Sequence, residues 1–588
     1  MNEGPNALLL AVIGVGIMVA GYFLYSKYLA KKVFKLNAEF KTPAHAFNDG
    51  TDYVPTNRFV LWGHHFTSVA GAAPIVGPAI AVIWGWLPAF LWVVFGTVLF
   101  AGMHDLGSVW ASARNKGQSL GSLSGRYIGP RGRNLFLVVI FFLLMMVIAA
   151  FATITADLLV ASPTAVIPTW GALIVAVFVG QAMYRYNWNL PIVTVVGVTA
   201  LCVLVPLGDR FPLAIPEGVL GLPATTWWII ILFVYGAVAS LLPVWVLMQP
   251  RDYINGLQLF IGLGLLYASF VIATPTVVAP AINNNVPADT PSLMPLLFVT
   301  IACGAISGFH SLVASGTTAK QIDKETDSRL VGYMGAAGEG TLAVCSVLAC
   351  TAGVVAASTS PSADWNGLYS DFDSASAGAT GNFVEGVGRF ANNLGVPLEI
   401  GVIFAVVVVV SFAATTMDTG VRLQRYIVQE IAEIVRFRFL ARNLTVATLI
   451  ATLVPLGLAL IPGDFAFGTL WQLFGTTNQL TAGLALAVIA VWVTKRRRDP
   501  LAILIPLVFL LVMTSWALIV NLIAFVRSDD VIDRFLLAPI DFVIFALAIW
   551  LVVEASIALR KAFAARHLPQ TEATESEETT QTSDPKEK

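Results

Sequence analysis

The chain has 588 residues, of which 57% are hydrophobic and only 12% are charged. Soluble globular domains have roughly a quarter of their residues charged, so this composition excludes a water-soluble globular protein and predicts that lipid surrounds most of the chain. The net charge of −1, with no basic domain, excludes nucleic acid as an expected partner.

Apolar segments long enough to cross a membrane follow one another along almost the whole chain. A span needs about 20 mostly apolar residues, and we count about fifteen such segments. They cover residues 7–29, 60–83, 86–112, 133–160, 166–185, 189–207, 225–248, 255–279, 292–316, 330–357, 398–420, 444–461, 466–493, 499–526 and 536–560. The sequence therefore predicts an all-α polytopic membrane protein.

The basic residues support this count and orient the chain. Loops on the cytoplasmic side of a membrane protein collect Lys and Arg. If the N-terminus lies outside, the predicted outer loops contain only Arg210, Arg389, Arg527 and Arg534, while the other 30 of the 34 basic residues fall inside. We therefore expect an outer N-terminus and a cytoplasmic C-terminus.

Several predicted spans carry ionisable side chains, which are costly at membrane depth and usually face a bundle interior or a water-filled cavity. The candidates are His64, His65, His104, Asp105, Asp157, His310, Glu339, Asp418, Asp541 and Glu554. Structural pairing within the bundle is the alternative reading for each. Walker A and HExxH motifs are absent from the sequence, which indicates a gradient-driven carrier rather than an enzyme or an ATP-driven pump.

Two predicted spans contain helix breakers. The span 60–83 has Gly71, Pro74, Gly77 and Pro78, and the span 225–248 has a possible break at Ser240–Pro243. Proline and glycine free backbone groups, which transporters use to bind substrates and ions. The two spans lie five apart and run in opposite directions, so they resemble the LeuT-like inverted five-helix repeat with discontinuous helices.

This repeat divides the chain into four parts. They are residues 1–59, with the first helix and a cytoplasmic loop; 60–420, a transport core with an outer loop at 358–397; 421–566, with an amphipathic segment and the last helices; and 567–588, an acidic tail expected to be disordered. We expect some short helices in the outer loop. The amphipathic stretch 421–439 either lies along the inner membrane surface or extends the preceding helix inward.

Four long motifs resemble the carbon starvation protein A (CstA) family of bacterial inner-membrane transporters. They are GHHFTSVAGAAPIVGPAIA (63–81), FAGMHDLGSVWASARNKGQSLG (100–121), SGFHSLVASGTTAKQI (307–322) and LWQLFGTTNQLTAGLAL (470–486). The resemblance implies a carrier that takes up pyruvate or small peptides during carbon starvation, with proton coupling. It also implies a location in the bacterial inner membrane.

These features give a hypothesis of alternating access around a site in the middle of the membrane. The expected substrate-binding residues are His64, Thr67, Ser68, Ala70, Gly71, Ser240 and Ser311. The expected proton- or ion-coupling residues are His64, His65, His310, Ser307, Ser315, Thr317, Thr318 and Asp105. Half-helix amides favour an anionic carboxylate, and histidine titrates near neutral pH.

Alternatives remain at this point. The carrier could take up small peptides, and sodium could replace the proton because the hydroxyl-rich segment 307–318 suits a hard cation. A membrane haem or metal protein could use the intramembrane histidines, although the adjacent rings of His64 and His65 would point about 100° apart on a helix. For the carrier we expect no cofactor and no bound metal.

Overall fold

The computed structural model describes residues 4–50, 52–186, 188–243, 246–288, 290–354, 361–461 and 469–565. Over these ranges the chain is helical apart from its connections, and its only β-type pairings are two isolated bridges. The tail 567–588, predicted to be disordered, lies outside the described residues.

The first half of the chain contains ten labelled helices, two of which are the pieces of a single bent span. They are α1 (Ala7–Val33), α2 (Arg58–Val69), α3 (Ala73–Trp84), α4 (Trp86–Arg114), α5 (Leu120–Tyr127), α6 (Pro130–Ala161), α7 (Pro163–Met183), α8 (Leu190–Arg210), α9 (Ala224–Leu241) and α10 (Met248–Ala273). A short helix, Pro43–Ala46, lies in the connection between α1 and α2.

The second half also begins with a helix in two pieces. Its helices are α11 (Leu293–Thr300), α12 (residues 308–321), α13 (Glu325–Gly353), α14 (Pro361–Leu368), α15 (Phe372–Ala377), α16 (Ala379–Asn392), α17 (Leu398–Ile434), α18 (Leu444–Ala459), α19 (Thr469–Lys495), α20 (Leu501–Arg527) and α21 (Asp533–Ala565). The helices α14 to α16 confirm the short helical structure expected in the loop 358–397.

Local sequence signals set several of these boundaries. The Asn57 side chain accepts a hydrogen bond from the Phe59 amide at 2.9 Å and so caps the start of α2. Gly85 separates α3 from α4 with φ 109°, a conformation that other residues rarely adopt. Gly129, with φ 135°, precedes Pro130 at the first position of α6, where proline loses no helical hydrogen bond.

Counted by the length and composition of the helices in the structure, the membrane spans are fewer than the sequence predicts. Twelve helices qualify among the described residues, or thirteen if α2 and α3, which are bent by 52°, count as one span. The predicted count of fifteen is not confirmed. The two remaining predicted spans correspond to α11–α12, which is too interrupted to qualify, and to α18, which has only 16 residues.

The two interrupted helices lie side by side in opposite directions. The first piece of one, α2, packs against the last piece of the other, α12, while α3 packs against α11. The helix after the second break, α13, packs against both α2 and α3. The fold is thus all-α and LeuT-like, with discontinuous helices, as expected, and its two interrupted helices form an antiparallel pair.

The second break does not lie where the sequence pattern placed it. Residues 225–248 were expected to contain a break at Ser240–Pro243, but α9 ends at Leu241, so this proline follows a helix end. Arg422 and Arg425 of α17 donate hydrogen bonds to carbonyls at this end, including those of Leu242 and Ser240 at 2.5 Å. The break is instead at residues 301–307, between α11 and α12.

The amphipathic stretch 421–439 extends the preceding helix, which was one of the two expected alternatives. The helix α17 continues for 37 residues from Leu398 to Ile434. The chain then turns at Arg436, which has φ 61°, and forms the short helix Arg438–Arg442 before α18 begins. The long α17 therefore extends beyond its apolar segment into the region of the basic loops.

Candidate functional site

The break between α2 and α3 packs closely against side chains of two other helices, α17 and α6. Gly71 lies there, and a Cβ at this position would come within 2.5 Å of Thr416 Oγ1 and 3.0 Å of the Phe151 ring. Thr416 Oγ1 is buried and has no hydrogen-bond partner among the described residues. At the start of α3 the Ile75 and Val76 amides donate to the Ala72 carbonyl and Pro74 has no N–H, so the Ala73 amide is the one of the first four that lacks an acceptor among the described residues. This break therefore offers backbone and hydroxyl groups to a small ligand.

The break between α11 and α12 is different because neighbouring helices bind its backbone. The indole N–H groups of Trp92 and Trp471 donate to the carbonyls of Ile301 and Thr300, at 3.1 and 3.2 Å. Thr97 Oγ1 donates to the Gly304 carbonyl at 3.2 Å. Freed carbonyls at this break are thus stabilised by the protein itself.

Directly after the second break, His310 links three helices. Its Nδ1 lies 2.8 Å from Asp105 Oδ2 on α4, and its Nε2 lies 2.9 Å from Glu339 Oε2 on α13. His104 Nδ1 binds the other carboxylate oxygen of Asp105, also at 2.8 Å. All four side chains are buried, so α4, α12 and α13 meet in one ionisable cluster.

In this cluster one ring, His310, lies between two carboxylates. A single imidazolium at His310 balances only one of the charges of Asp105 and Glu339. An uncompensated charge in such a buried place is costly. Glu339 Oε1 is buried and has no hydrogen-bond partner among the described residues. The cluster can therefore bind one more proton at this oxygen and become neutral.

His65 joins the two interrupted helices. Its Nδ1 lies 2.9 Å from Thr318 Oγ1 of α12. Its ring is fully buried and presses on Gly335, where an added Cβ would come within 2.5 Å of His65 Cδ2. The second ring nitrogen, Nε2, has no hydrogen-bond partner among the described residues.

A second group of buried charges lies around Arg251 at the start of α10. Its guanidinium forms an ion pair with Asp418 of α17 and lies 3.0 Å from Asp252 Oδ1. Tyr235 Oη donates to Asp418 at 2.9 Å. His64 Nδ1 is 3.7 Å from Asp252 Oδ2, and the His64 side chain is 22% exposed. One arginine thus faces two carboxylates, with His64 at the accessible edge.

The predicted hydroxyl groups do not converge on one point. Five of them donate to backbone carbonyls three or four residues earlier in their own helix: Thr67 to Gly63, Ser68 to His64, Ser311 to Gly308, Ser315 to Ser311, and Thr317 to Val313. Ser315 also receives the Leu120 amide, whereas Ser307 bonds to Asn478 of α19. Ser240 lies at the end of α9 beside Arg425, and Ala70 ends α2.

The chain is similar to known proteins along most of its length. The family model described as carbon starvation protein CstA matches residues 6–517. The chain belongs to this CstA family. It is 32% identical to the peptide transporter CstA of Campylobacter jejuni, with 90% of this chain and 82% of that protein covered. It is 30% identical to the pyruvate/proton symporter BtsT of Escherichia coli, with 88% and 82% covered.

The CstA-family chain is therefore a multi-pass membrane transporter and not an enzyme. A manganese transporter of Eremococcus coleocola shares its fold at 11% sequence identity, with a TM-score of 0.52 over 88% of this chain and 99% of that one. This likeness concerns the fold alone. Within the described part of the CstA-family chain, no three His, Cys, Asp or Glu side chains are grouped as metal ligands.

The structure adds residues that the sequence did not place at a site. Glu339 was recognised as an intramembrane charge but was not assigned to the coupling group, and Arg251 and Asn478 were not considered. Glu339 had a usable signal, because a carboxylate within an apolar span needs a partner. The sequence signal for Asn478 and Arg251 was weaker, since their partners lie on helices distant in sequence and only the fold brings them together.

Proposed function

We propose that this CstA-family protein is a secondary active transporter that imports pyruvate or a related small carboxylate together with a proton. The buried cluster of Asp105, His310 and Glu339 carries the proposal, because it lacks one positive charge and has an unoccupied carboxylate oxygen. The printed name of the Escherichia coli relative, a pyruvate/proton symporter, agrees with this chemistry. The proposed location is the bacterial inner membrane.

The cluster is placed where a proton can control the packing of the interrupted helices. His310 lies in the first turn of α12, and its two carboxylate partners belong to α4 and α13. Protonation of Glu339 would weaken its attraction to the His310 imidazolium. The contact between α12 and α13 would then be free to change, which alternating access requires.

The substrate carboxylate would bind at the first break. There the α3 N-terminus supplies the Ala73 amide, and Gly71 lets the Thr416 hydroxyl, a free donor, approach the backbone of the break. Thr67, Ser68 and Ala70 border the same break at the end of α2. His64, at the accessible edge of the Arg251 group, would form the entrance on the side of the basic loops.

The proton is favoured over sodium as the coupling ion. A sodium site needs several oxygens directed at one point, but the hydroxyls of Ser307, Ser315 and Thr318 have separate partners on α19, α5 and α2. Small-peptide uptake is the second candidate for the substrate, because the Campylobacter jejuni relative is named a peptide transporter.

Uptake by purified protein in proteoliposomes tests the proposal. We expect a pH gradient, acid outside, to drive accumulation of labelled pyruvate, and a sodium gradient to have no effect. His310→Ala should reduce the pH-driven uptake by at least about 100-fold, because proton-transfer groups typically contribute 10²–10⁴-fold to rates. An excess of unlabelled dipeptide that abolishes the pyruvate signal would favour the peptide alternative.

Glu339→Gln separates coupling from transport. The amide imitates a permanently protonated carboxyl, so pyruvate exchange across the membrane should persist while acceleration by the pH gradient disappears. Glu554→Gln, the same change on α21 outside the cluster, is the matched control and should behave as wild type. If Glu339→Gln still responds to the pH gradient as wild type does, the cluster is not the proton site.

A further inference from the structure

One motif residue lies beside the proton site without belonging to it. Asn478 is fully buried on α19, within the segment GTTNQ at 475–479. Its Oδ1 accepts a hydrogen bond from the Phe309 amide at 2.9 Å. Its Nδ2 donates to Ser307 Oγ and to Cys303 Sγ, each at 3.1 Å. A single side chain thus contacts two residues of the break between α11 and α12, Cys303 and Ser307, and the backbone of Phe309 in the first turn of α12.

The helix around Asn478 is fitted to the same break over two turns. Gln479 Nε2 donates to the Phe298 carbonyl, and Trp471 Nε1 donates to the Thr300 carbonyl at 3.2 Å. Gly475 faces the backbone of Val299, and Gly308 faces the backbone of α19, with no space for a side chain at either glycine. The α19 surface therefore matches the interrupted backbone at several points.

The contacts of Asn478 bear directly on His310. The Phe309 amide that it binds belongs to the residue immediately before His310. Asparagine supplies an acceptor for this amide and donors for Ser307 and Cys303 at the same time. A carboxylate cannot donate, and an aliphatic side chain can do neither.

We infer that Asn478 is a positioning residue, which holds the break of α11–α12 so that His310 reaches both Asp105 and Glu339. The inference rests on the proposed function for its effect on transport, but not for its effect on the break itself. It predicts that changes at Asn478 alter the proton response of the transporter through His310, although Asn478 never binds the proton or the substrate.

Asn478→Asp gives a readout that simple loss of packing would not give. In its acidic form the introduced carboxyl can both donate and accept, so pyruvate exchange at low pH should approach the wild-type rate. Once ionised, it loses the donor and adds a negative charge beside Cys303, near His310, Asp105 and Glu339. Relative to wild type at each pH, exchange should then fall by about tenfold or more, as expected for an unsatisfied buried group.

Asn478→Ala removes both functions at every pH, and Thr494→Ala is its matched control. Thr494 is buried on the same helix, and its hydroxyl donates to the Ala490 carbonyl within that helix. We expect the Asn478→Ala rate to be low at all pH values and the Thr494→Ala rate to equal wild type. An Asn478→Asp profile parallel to wild type overturns the inference.

Hydrogen–deuterium exchange of residues 301–313 makes the test independent of the substrate. Asn478→Ala should speed amide exchange in this segment by about tenfold, since the Phe309 amide loses its acceptor, whereas Thr494→Ala should not. Unchanged exchange in Asn478→Ala overturns the inference whatever the transport result. Wild-type protein that transports no pyruvate under a pH gradient counts against the proposed function instead.

Discussion

At the scale of single residues, the buried charges of this transporter are stabilised as groups. Arg251, 2% exposed, faces Asp418 and Asp252, while His310 lies between Asp105 and Glu339. Each group joins different helices. Because removing one member leaves another charge buried and unpaired, such groups constrain both stability and the allowed movements.

Arg251→Met should destabilise the protein by about 3–5 kcal/mol, the usual cost of breaking a buried ion pair from one side. The double variant Arg251→Met with Asp418→Asn should recover part of this loss, since it also removes the Asp418 charge. Thermal and denaturant unfolding in detergent micelles measures both variants against wild type.

The control for this comparison is Arg389→Met, which breaks an ion pair of helical neighbours, Arg389 and Glu385, whose side chains are 28% and 46% exposed. Such a pair is worth less than about 1 kcal/mol. If Arg251→Met costs no more than Arg389→Met, the Arg251 group does not contribute to stability in the way its geometry indicates.

At the scale of helices, the first break can be tested by glycine substitutions on one interrupted span. Gly71→Ala places a methyl group against Thr416 and Phe151 in the proposed substrate space, while Gly63→Ala meets nothing within 4 Å. We expect Gly71→Ala to raise the KM for uptake several-fold, because the added carbon displaces Thr416 and Phe151 beside the proposed substrate site, and Gly63→Ala to leave KM unchanged.

Initial rates of pyruvate uptake over a range of concentrations provide the measurement. A lower maximal rate with unchanged KM in Gly71→Ala would place the effect on helix movement rather than on substrate binding. Equal kinetics for both variants would show that the substrate does not occupy this break.

The two breaks also show why one was predictable from sequence and the other was not. Pro74 and Pro78 are local signals, and the 52° bend occurs beside them. Residues 301–307 contain no proline, and their break is fixed by Trp92, Trp471 and other side chains from helices distant in sequence. A search for prolines therefore found Ser240–Pro243, a helix end, instead. Contacts of the histidine rings, such as that of His310 with Glu339, likewise could not be predicted without knowing how the helices pack.

At the scale of the whole molecule, the packing points to a core different from the predicted 60–420. The helices α9 and α18 both pack against α6 and α17, and α10 contacts α2 as α19 contacts α12. We propose that α2–α3, α4, α6, α9 and α10 form one repeat, and α11–α12, α13, α17, α18 and α19 the other. The core then ends at Lys495, with α7 and α8 inserted in the first repeat.

The inserted pair explains the misplaced second break. The fifth span after α2–α3 is α9, because α7 and α8 are also long and apolar enough to cross a membrane and are counted with the core helices. Only their packing, mainly against each other, with further contacts to α10 and α17, distinguishes them. Hydropathy gives the number of apolar segments but not which of them form a symmetric core.

The orientation of the whole molecule remains a prediction from the basic residues, and cysteine labelling in intact cells tests it. Asn393 lies between α16 and α17 on the predicted outer side, and Arg438 lies in the short helix after α17 on the predicted inner side; both are exposed. A membrane-impermeant maleimide should label Asn393→Cys in intact cells and Arg438→Cys only after permeabilisation.

Wild type, with three buried cysteines and Cys202 on an apolar helix, gives the background. The reverse pattern would mean that the basic loops face outward, so that His64 would open to the outside and the proposed entry and exit of the substrate would be exchanged.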